Sequence, residues 1–357
     1  MKNSKFILKK ELVDIPIIKK YTLLSQAEYS KDNPISQEEH LKWKYLNNPE
    51  GLSYGINGYS GDKLVARISY QKKNFIFKNH IINGANLCDL LIDKENRKLD
   101  NFFKLTNPFF IKKDIPNSNL SIMLPNEISI NIYKKILHLK PIGRLELRII
   151  PIINSIKNKK FRIKIPSFLI TFSLQLQKFI LNNFQKLFKI NFSLNDVENE
   201  QFEIMIKNYY EDNLIQGERS KNWIRWRYSS KSKINYFLEY IFLDNKLIGY
   251  IAYRESKKFG LKIFVIMEIV ITKKSFFIEI LLLLKLIFLA SKLKCNLIIS
   301  LRTIQINNPL SNILFPRIPN FLLPTPLELF IVIKDKPSPE ILDINNWKIN
   351  MADLDIF

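Results

Sequence analysis

The sequence predicts two related α/β domains, each a mixed, mostly antiparallel sheet flanked by helices. The first observation is an internal repeat, because Trp43-Lys44-Tyr45 returns 183 residues later as Trp226-Arg227-Tyr228. A repeat that long indicates two domains rather than a solenoid, whose period is about 20–50 residues. The second observation is that both copies precede the same order of strand-like and helix-like segments. The third is length, since 357 residues give each domain enough chain for its own core.

The first copy opens with alternating apolar residues at 6–20, which predict a strand and a turn into a helix. Ser36-Gln37-Glu38-Glu39 fits a capping box, so a helix that carries Trp43 is expected to start near Ser36. Gly61-Asp62 between two apolar runs predicts a hairpin turn. The other predicted elements are strands at 53–59, 64–71, 75–79, 84–92, 120–124 and 145–153, and helices at 97–110 and 129–139.

The second copy repeats this order, with closing strands that match in sequence. Leu145-Glu146-Leu147 recurs as Leu327-Glu328-Leu329, so each copy is expected to close with its own last strand. The predicted domains are therefore 1–154 and 196–357, joined by a basic helical linker at 155–195. The other elements are helices at 198–212 and 276–293, and strands at 236–243, 247–255, 262–272, 297–302 and 327–333.

The formal net charge of +22 favours anionic partners. A composition rich in Lys, Asn and Ile explains much of this charge, and no basic block stands out, so nucleic acid is not a favoured partner. Residues 155–190 contain eight Lys or Arg and no acid, and 168–190 can form an amphipathic helix. That helix either contacts an anionic membrane peripherally or, as is favoured, packs as a linker against both domains.

Location and metal binding are read from a few residue types. Cys88 and Cys295 lie in apolar runs and predict buried, reduced thiols, which suits the cytoplasm. The N-terminal residues lack the apolar core of a signal peptide. A cytoplasmic protein, with peripheral membrane contact as the alternative, is expected. His80 and His138 have no partners at metal-ligand spacing, so no metal is predicted.

Several short motifs, each weak alone, are specific in combination and extend over nearly the whole chain. They are Trp43-Lys44-Tyr45 with Asn48-Pro49, Cys88–Ile92 followed by Asn96-Arg97-Lys98, Leu124-Pro125-Asn126 with Tyr133-Lys134-Lys135, Trp226-Arg227-Tyr228, and Asn346-Trp347 with Ala352-Asp353-Leu354-Asp355. With this combination the sequence resembles tandem GNAT acyltransferases, most closely the GNAT-like proteins of bacterial surface-polysaccharide gene sets. The resemblance implies an N-acyltransferase that moves an acyl group, with acetyl favoured, from acyl-CoA to an amino-sugar precursor.

The resemblance also implies a donor site in the first copy. The strand with Leu91 and Ile92 would splay from its neighbour and admit the pantetheine arm of acyl-CoA. Arg97 and Lys98 in the next loop would bind the pyrophosphate beside a helix N-terminus. Family members carry glycines there, but residues 97–102 and the matching residues 272–276 contain none.

Two residues are candidates for acyl transfer, which needs a base for the amine and an acid for the leaving thiolate. Asp89 lies in an apolar strand, where burial is expected to raise its pKa toward a useful range for a base; the alternative is a cap of the next loop. Tyr133 stands where the resemblance places a tyrosine that protonates the CoA sulfur; the alternative is a core residue. Their counterparts, Glu268 and Phe315, lack this combination, so chemistry is expected in the first copy.

Acceptor binding is expected from aromatic and polar side chains. The aromatic residues could stack on a sugar ring and the basic ones could hold a phosphate, although a structural role in both copies is the favoured alternative. Asn126 either orients substrate or, as is favoured, caps the following helix. His40 either contacts substrate or lies on the surface. The candidates for substrate binding are His40, Trp43, Tyr45, Asn126, Trp226, Arg227 and Tyr228.

Two alternatives to an acyl-CoA enzyme remain. The missing glycines are consistent with a catalytically inactive protein that binds a glycan precursor or a partner. The positive charge is consistent with a relative of the ligases that use aminoacyl-tRNA.

Overall fold

The computed structural model describes residues 6–110, 118–152, 167–229, 232–258, 260–273, 275–303, 315–323, 325–334 and 338–354. Residues 155–166 of the predicted linker, Lys274 and Asp355 lie outside them. The described chain forms two sheets flanked by helices. None of the described helices is long and apolar enough to cross a lipid bilayer.

The elements before the linker follow the predicted order, except that the strands predicted at 64–71 and 75–79 form one strand, Lys63–Phe77. They are β1 (Phe6–Leu12), α1 (Ile15–Glu28), a 3-10 turn (Pro34–Ser36), α2 (Glu38–Tyr45), β2 (Tyr54–Ser60), β3 (Lys63–Phe77), β4 (His80–Ile92), α3 (Leu99–Phe110), β5 (Leu120–Met123), α4 (Glu127–Lys135), β6 (Gly143–Arg144) and β7 (Glu146–Pro151).

The elements from the linker onward include each predicted helix and strand within a few residues of its predicted bounds, together with short additional elements at 190–193, 215–217, 221–227 and 347–348. They are α5 (Ser167–Phe188), β8 (Ile190–Ser193), α6 (Asn199–Tyr209), β9 (Ile215–Gly217), α7 (Lys221–Arg227), β10 (Tyr236–Leu243), β11 (Lys246–Lys258), β12 (Leu261–Ile271), α8 (Phe276–Lys292), β13 (Leu297–Arg302), β14 (Glu328–Ile333) and β15 (Trp347–Lys348).

The two sheets exchange their last strands. The first sheet runs β1-β2-β3-β4-β5-β14-β6, with β9 against β3 and β15 against β9. The second runs β7-β13-β12-β11-β10-β8. Thus β14 lies antiparallel to β5, and β7 lies antiparallel to β13. The expectation that each copy closes with its own last strand is wrong, because a short apolar strand carries no local signal for which sheet it joins.

Ion pairs hold each exchanged strand in place. Glu328 of β14 is 2% exposed and accepts hydrogen bonds from Lys134 of α4 and Arg144 of β6. Glu146 of β7 accepts from Arg148 on the same strand and from Arg317. Both glutamates are buried, but Lys134, Arg144 and Arg317 are about half exposed. Only Arg148, which is 7% exposed, would be left in a poorly solvated place by the loss of its glutamate.

Local signals predicted turns better than helix starts. Gly61 lies in the turn between β2 and β3 with φ +61, as the hairpin signal predicts. The predicted capping box is wrong, since residues 34–36 form the 3-10 turn and α2 follows Gln37 without a side-chain cap. The helix predicted at 168–190 is present as α5, and its Leu181 belongs to the apolar core that α8 forms beneath the second sheet. Its role as a linker between two domains stays a prediction.

Candidate functional site

The strand β4 leaves its neighbour β5 partway along its length. The two pair in parallel only from Gly84–Leu120 to Asn86–Ile122. β4 then continues to Ile92, paired with β3 on its other edge. Within the described strands, residues 87–92 thus have no partner strand on that edge, in the place where the resemblance to GNAT proteins implies a slot for the donor.

The second copy has the corresponding slot, but the chain itself fills it. β12 pairs with β13 only from Ile263–Leu297 to Ile266–Ser300. Beyond that point the C-terminal segment 349–354 packs beside both strands: Thr303 donates to Ile349 O at 3.0 Å, and Asn350 forms a bridge with Arg302. The Met351 side chain of this segment is fully buried in the core.

Asp89 lies at a bulge in β4, where its pairing with β3 shifts register, and its φ is +52. Its carboxylate accepts hydrogen bonds from Lys44 Nζ at 2.9 Å and from the Tyr45 hydroxyl. Arg67 lies 3.6 Å away, and the Asp89 side chain is 7% exposed. The buried acid therefore has two cations and one hydroxyl around it.

These partners correct the expectation for the pKa of Asp89. Burial alone would raise it, but Lys44 and Arg67 together with the Tyr45 hydroxyl lower the pKa to about 2. The side chain is thus an ionised member of an ion-pair cluster. Catalysis by Asp89 stays a prediction, though its low pKa makes it a weak proton acceptor.

Glu268 occupies the matching place on β12, also next to a bulge. It accepts hydrogen bonds from Arg219 at 2.6 Å, Tyr228 at 2.7 Å and Tyr250 at 2.9 Å. The tyrosine of each Trp-basic-Tyr motif therefore donates to the acid on the neighbouring sheet of its own copy.

The two motif tryptophans join the copies to each other. Trp43 Nε1 donates to Trp226 O at 2.7 Å, and Trp226 Nε1 donates to Trp43 O at 2.8 Å. Their rings stack with centroids 5.2 Å apart. Because one face of each ring covers the other, the pair is a symmetric clasp between the copies, and the basic residues Lys44 and Arg227 beside it are buried.

The motif's neighbours also lie between the copies. His40 is buried, not on the surface, and its Nδ1 lies 2.6 Å from Ser232 O. Arg227 donates to the C-terminal segment at Ala352 O, 3.2 Å away, and at Leu354 O. Of the predicted substrate-binding residues, Trp43, Trp226 and Arg227 line a cleft.

Tyr133 and Asn126 belong to α4. Tyr133 is 3% exposed and packs against Phe102, Phe110 and Phe330, and burial raises its pKa, so its hydroxyl stays protonated. A role as proton donor stays a prediction. Asn126 Oδ1 accepts from Ser129 N at 3.0 Å, which confirms the predicted cap.

Of the predicted donor-binding residues, two are buried in apolar cores and two lie in the loop before α3. Leu91 packs under α1 and α2, while Ile92 belongs to the core beneath α3. Arg97 donates to Ile92 O and to Glu28, whereas Lys98 is exposed in the loop before α3. The loop therefore offers positive charge but no glycine that would let a pyrophosphate approach the backbone.

The sequence did not single out the residues that line the cleft between the copies. The cleft has about 300 Å³ of empty space and begins at Asn86, the last β4 residue that pairs with β5. Its polar lining includes Glu50 and Lys73. Glu50 follows Asn47-Asn48-Pro49, a run that indicates only the end of a helix, so no sequence signal marked it.

Glu50 is a buried carboxyl group with few partners. Its side chain is 3% exposed and accepts hydrogen bonds from Asn74 N at 2.7 Å and Trp223 Nε1 at 3.0 Å. Lys73 Nζ is 4.0 Å away. Burial outweighs these contacts and raises the pKa of Glu50 to about 7. Among the described residues no group of His, Cys, Asp or Glu side chains could hold a metal ion.

Comparison with known proteins identifies the fold. No family profile and no curated protein matches the sequence. Among solved structures, the chain is similar to a GCN5-related N-acetyltransferase from Anabaena variabilis at 12% identity, TM-score 0.56, over 92% of this chain and 73% of that one. It is similar to a probable N-acyltransferase from Enterococcus faecalis at 13% identity, TM-score 0.53, over 92% and 71%.

A third similar structure is Saccharomyces cerevisiae N-myristoyltransferase with bound myristoyl-CoA, at 11% identity and TM-score 0.55, over 93% of this chain and 84% of that one. All three alignments span both copies. The chain therefore has two GNAT-like domains, each a mixed sheet flanked by helices. Identities this low show the fold alone.

Proposed function

We propose that this protein transfers an acyl group from acyl-CoA to an amine, and that the first copy holds the reaction. The observation that carries the proposal is the slot beside β4. In the first copy β4 and β5 separate after Asn86, whereas residues 349–354 fill the corresponding place in the second copy. Only the first slot thus suits a donor.

The donor would lie along β4, with its phosphates near the basic loop that holds Lys94, Arg97 and Lys98. These side chains are exposed before the N-terminus of α3, where the helix dipole favours an anion. Arg97 would have to exchange its contact with Glu28 for the phosphates. Tyr133 is proposed as the acid for the leaving thiolate, since burial keeps its hydroxyl protonated.

Acetyl is the proposed acyl group, and an amino-sugar precursor of a surface polysaccharide is the proposed acceptor. Both rest on the resemblance of the sequence motifs. Cytoplasmic location is proposed from the reduced cysteines; both lie within the described residues and neither forms a disulfide.

The experiment is calorimetry and thermal unfolding with acetyl-CoA. Binding at 100 times Kd should stabilise the fold by about 2.7 kcal/mol. Lys98→Glu in the first loop should weaken binding, while Lys273→Glu, the matched exposed lysine of the second copy, should not. If millimolar acetyl-CoA gives no binding heat and no thermal stabilisation, the proposal of an acyl-CoA enzyme is refuted.

Two other results would favour the alternatives. Binding of a glycan precursor without acyl transfer would indicate an inactive binding protein, which the glycine-free loops motivate. Co-purification of tRNA with steep salt dependence would indicate an aminoacyl-tRNA ligase relative.

We also propose peripheral contact with anionic membranes through α5. Its side chains Phe172, Phe179 and Leu187 are more than half exposed, and Lys178 and Lys186 lie beside them. Such a helix can bury apolar side chains in lipid while its lysines stay near the headgroups. Sedimentation with phosphatidylserine vesicles should capture the protein, and Phe179→Ser should weaken the capture; equal capture by neutral vesicles would contradict the proposal.

A further inference from the structure

The cleft between the copies contains polar atoms that lack partners. Lys73 Nζ is on a side chain only 4% exposed and finds no hydrogen-bond acceptor among the described residues, although Asp353 lies 3.3 Å away. Asn86 Oδ1 accepts no hydrogen bond from the described residues either. Since buried polar groups are normally hydrogen-bonded, an ammonium held only by ion pairs with Asp353 and Glu50 and an amide oxygen without a donor indicate a polar ligand.

The position of the cleft fits an acceptor site. Asn86 borders it and is also the point at which β4 leaves β5, so the cleft meets the proposed donor slot there. In the aromatic wall Trp43 and Trp226 stack on each other, and Lys73 lies 4.4 Å from the Trp223 ring centroid. The empty space of about 300 Å³ includes the open mouth of the cleft, so only the amine end of an acceptor would enter between its walls.

We propose that this cleft binds the acceptor as a primary amine with an oxygen atom on the next carbon, and that Glu50 is the base. The proposal rests on the proposed acyltransferase function. The Glu50 carboxylate takes a proton from the ammonium. Asn86 Oδ1 accepts a hydrogen bond from one of the two remaining amine N–H groups, and Lys73 donates a hydrogen bond to the neighbouring oxygen.

The chemical step is balanced without any further reactant. The free amine attacks the thioester carbon, so that the C–N bond forms and the C–S bond breaks. Tyr133 gives its hydroxyl proton to the departing thiolate, which leaves as the CoA thiol, and the second amine proton replaces it on Tyr133. Glu50 then returns the first proton to solvent.

The charges around Glu50 suit this role. Lys73 of β3 and Arg219 of the segment before α7 favour its ionised form, while burial and Glu218 oppose it. The resulting pKa of about 7 lets the group accept and release a proton near neutral pH.

The test compares ethanolamine with n-propylamine as acceptors of the acetyl group from acetyl-CoA. Glu50→Gln should lower kcat/KM at pH 7 by about 100-fold, the lower range for a general base, and should leave acetyl-CoA affinity unchanged. The wild-type profile should show an inflection near pH 7 that the variant lacks. Glu218→Gln, which removes a nearby carboxylate outside the cleft lining, is the matched control. Unchanged kcat/KM and an unchanged inflection in Glu50→Gln overturn the proposal.

A second variant tests recognition of the oxygen. Wild type should prefer ethanolamine by about tenfold, as expected for a hydrogen bond to a charged group, and Lys73→Met should remove the preference; Lys73→Gln replaces it if the first variant does not fold. Ethanolamine alone should also raise the unfolding midpoint of wild type but not of the Lys73 variant. This measurement needs no acyl-CoA. Absence of acetyl-CoA binding would therefore refute the proposed function, while ethanolamine binding would still show whether the cleft is an amine site.

Discussion

The substitution Glu50→Gln should stabilise the protein at alkaline pH. The side chain is 3% exposed, and burial raises its pKa from 4.5 to about 7. Ionising it in the folded state is therefore costlier than in the unfolded chain. A difference of this size corresponds to about 3 kcal/mol at 1.36 kcal/mol per pKa unit.

The pH dependence follows from the direction of the shift. Because the folded pKa is raised, the folded state binds more protons than the unfolded state between pH 4.5 and about 7. Wild type should thus keep its full stability below pH 4.5 and lose about 3 kcal/mol as the pH rises through 7. Glutamine should not lose this stability, since it carries no charge at any pH; its Oε1 replaces one of the two carboxylate oxygens, which accept separately from Asn74 N and Trp223 Nε1.

Urea unfolding of both proteins at pH 4.5 and pH 8 checks this result. The difference in free energy of unfolding should be small at pH 4.5 and about 3 kcal/mol in favour of the variant at pH 8. Glu218→Gln provides the reference for removing one negative charge from the same region. A variant less stable than wild type at pH 8 would show that Lys73 outweighs burial and would refute the reasoning.

Four further substitutions test the buried contacts. Asp89→Asn should cost about 3–5 kcal/mol in urea unfolding at pH 7, because Lys44 stays buried without its partner; the deficit should shrink as the pH falls from 3.8 toward 2. In a double-mutant cycle, Trp43→Phe and Trp226→Phe should each cost about 1 kcal/mol and should be non-additive. Asp353→Ala should cost about 3–5 kcal/mol and expose residues 349–354 to faster hydrogen exchange.

The fold was predictable because its signals are local. Apolar runs and turn residues placed β10 and β13 at their observed bounds and most other elements within a few residues. The repeat of Trp43 and Trp226 revealed the duplication. What failed was non-local: β7 and β14 have similar sequences, and only packing against β13 and β5 decides which sheet each one joins.

The candidate site was predictable only in outline. Asp89 was expected to be a buried acid, and it is, but the sign of its pKa shift depends on Lys44 and Arg67, which lie 45 and 22 residues away in the chain. Glu50 gave no signal, because its burial arises when β3 and α7 close around it. Charge in a folded protein depends on such distant neighbours, which a local pattern does not contain.

The C-terminal segment explains why two related copies need not have two sites. Residues 349–354 fill the second slot, where the Asp353 carboxylate binds Arg219 at 2.7 Å. The same residue faces the first copy, since its carbonyl accepts from Asn86 at 2.9 Å and its carboxylate lies 3.3 Å from Lys73. One segment thus occupies the second slot and holds two residues of the cleft beside the first. The second copy therefore contributes side chains that line one side of the proposed acceptor site.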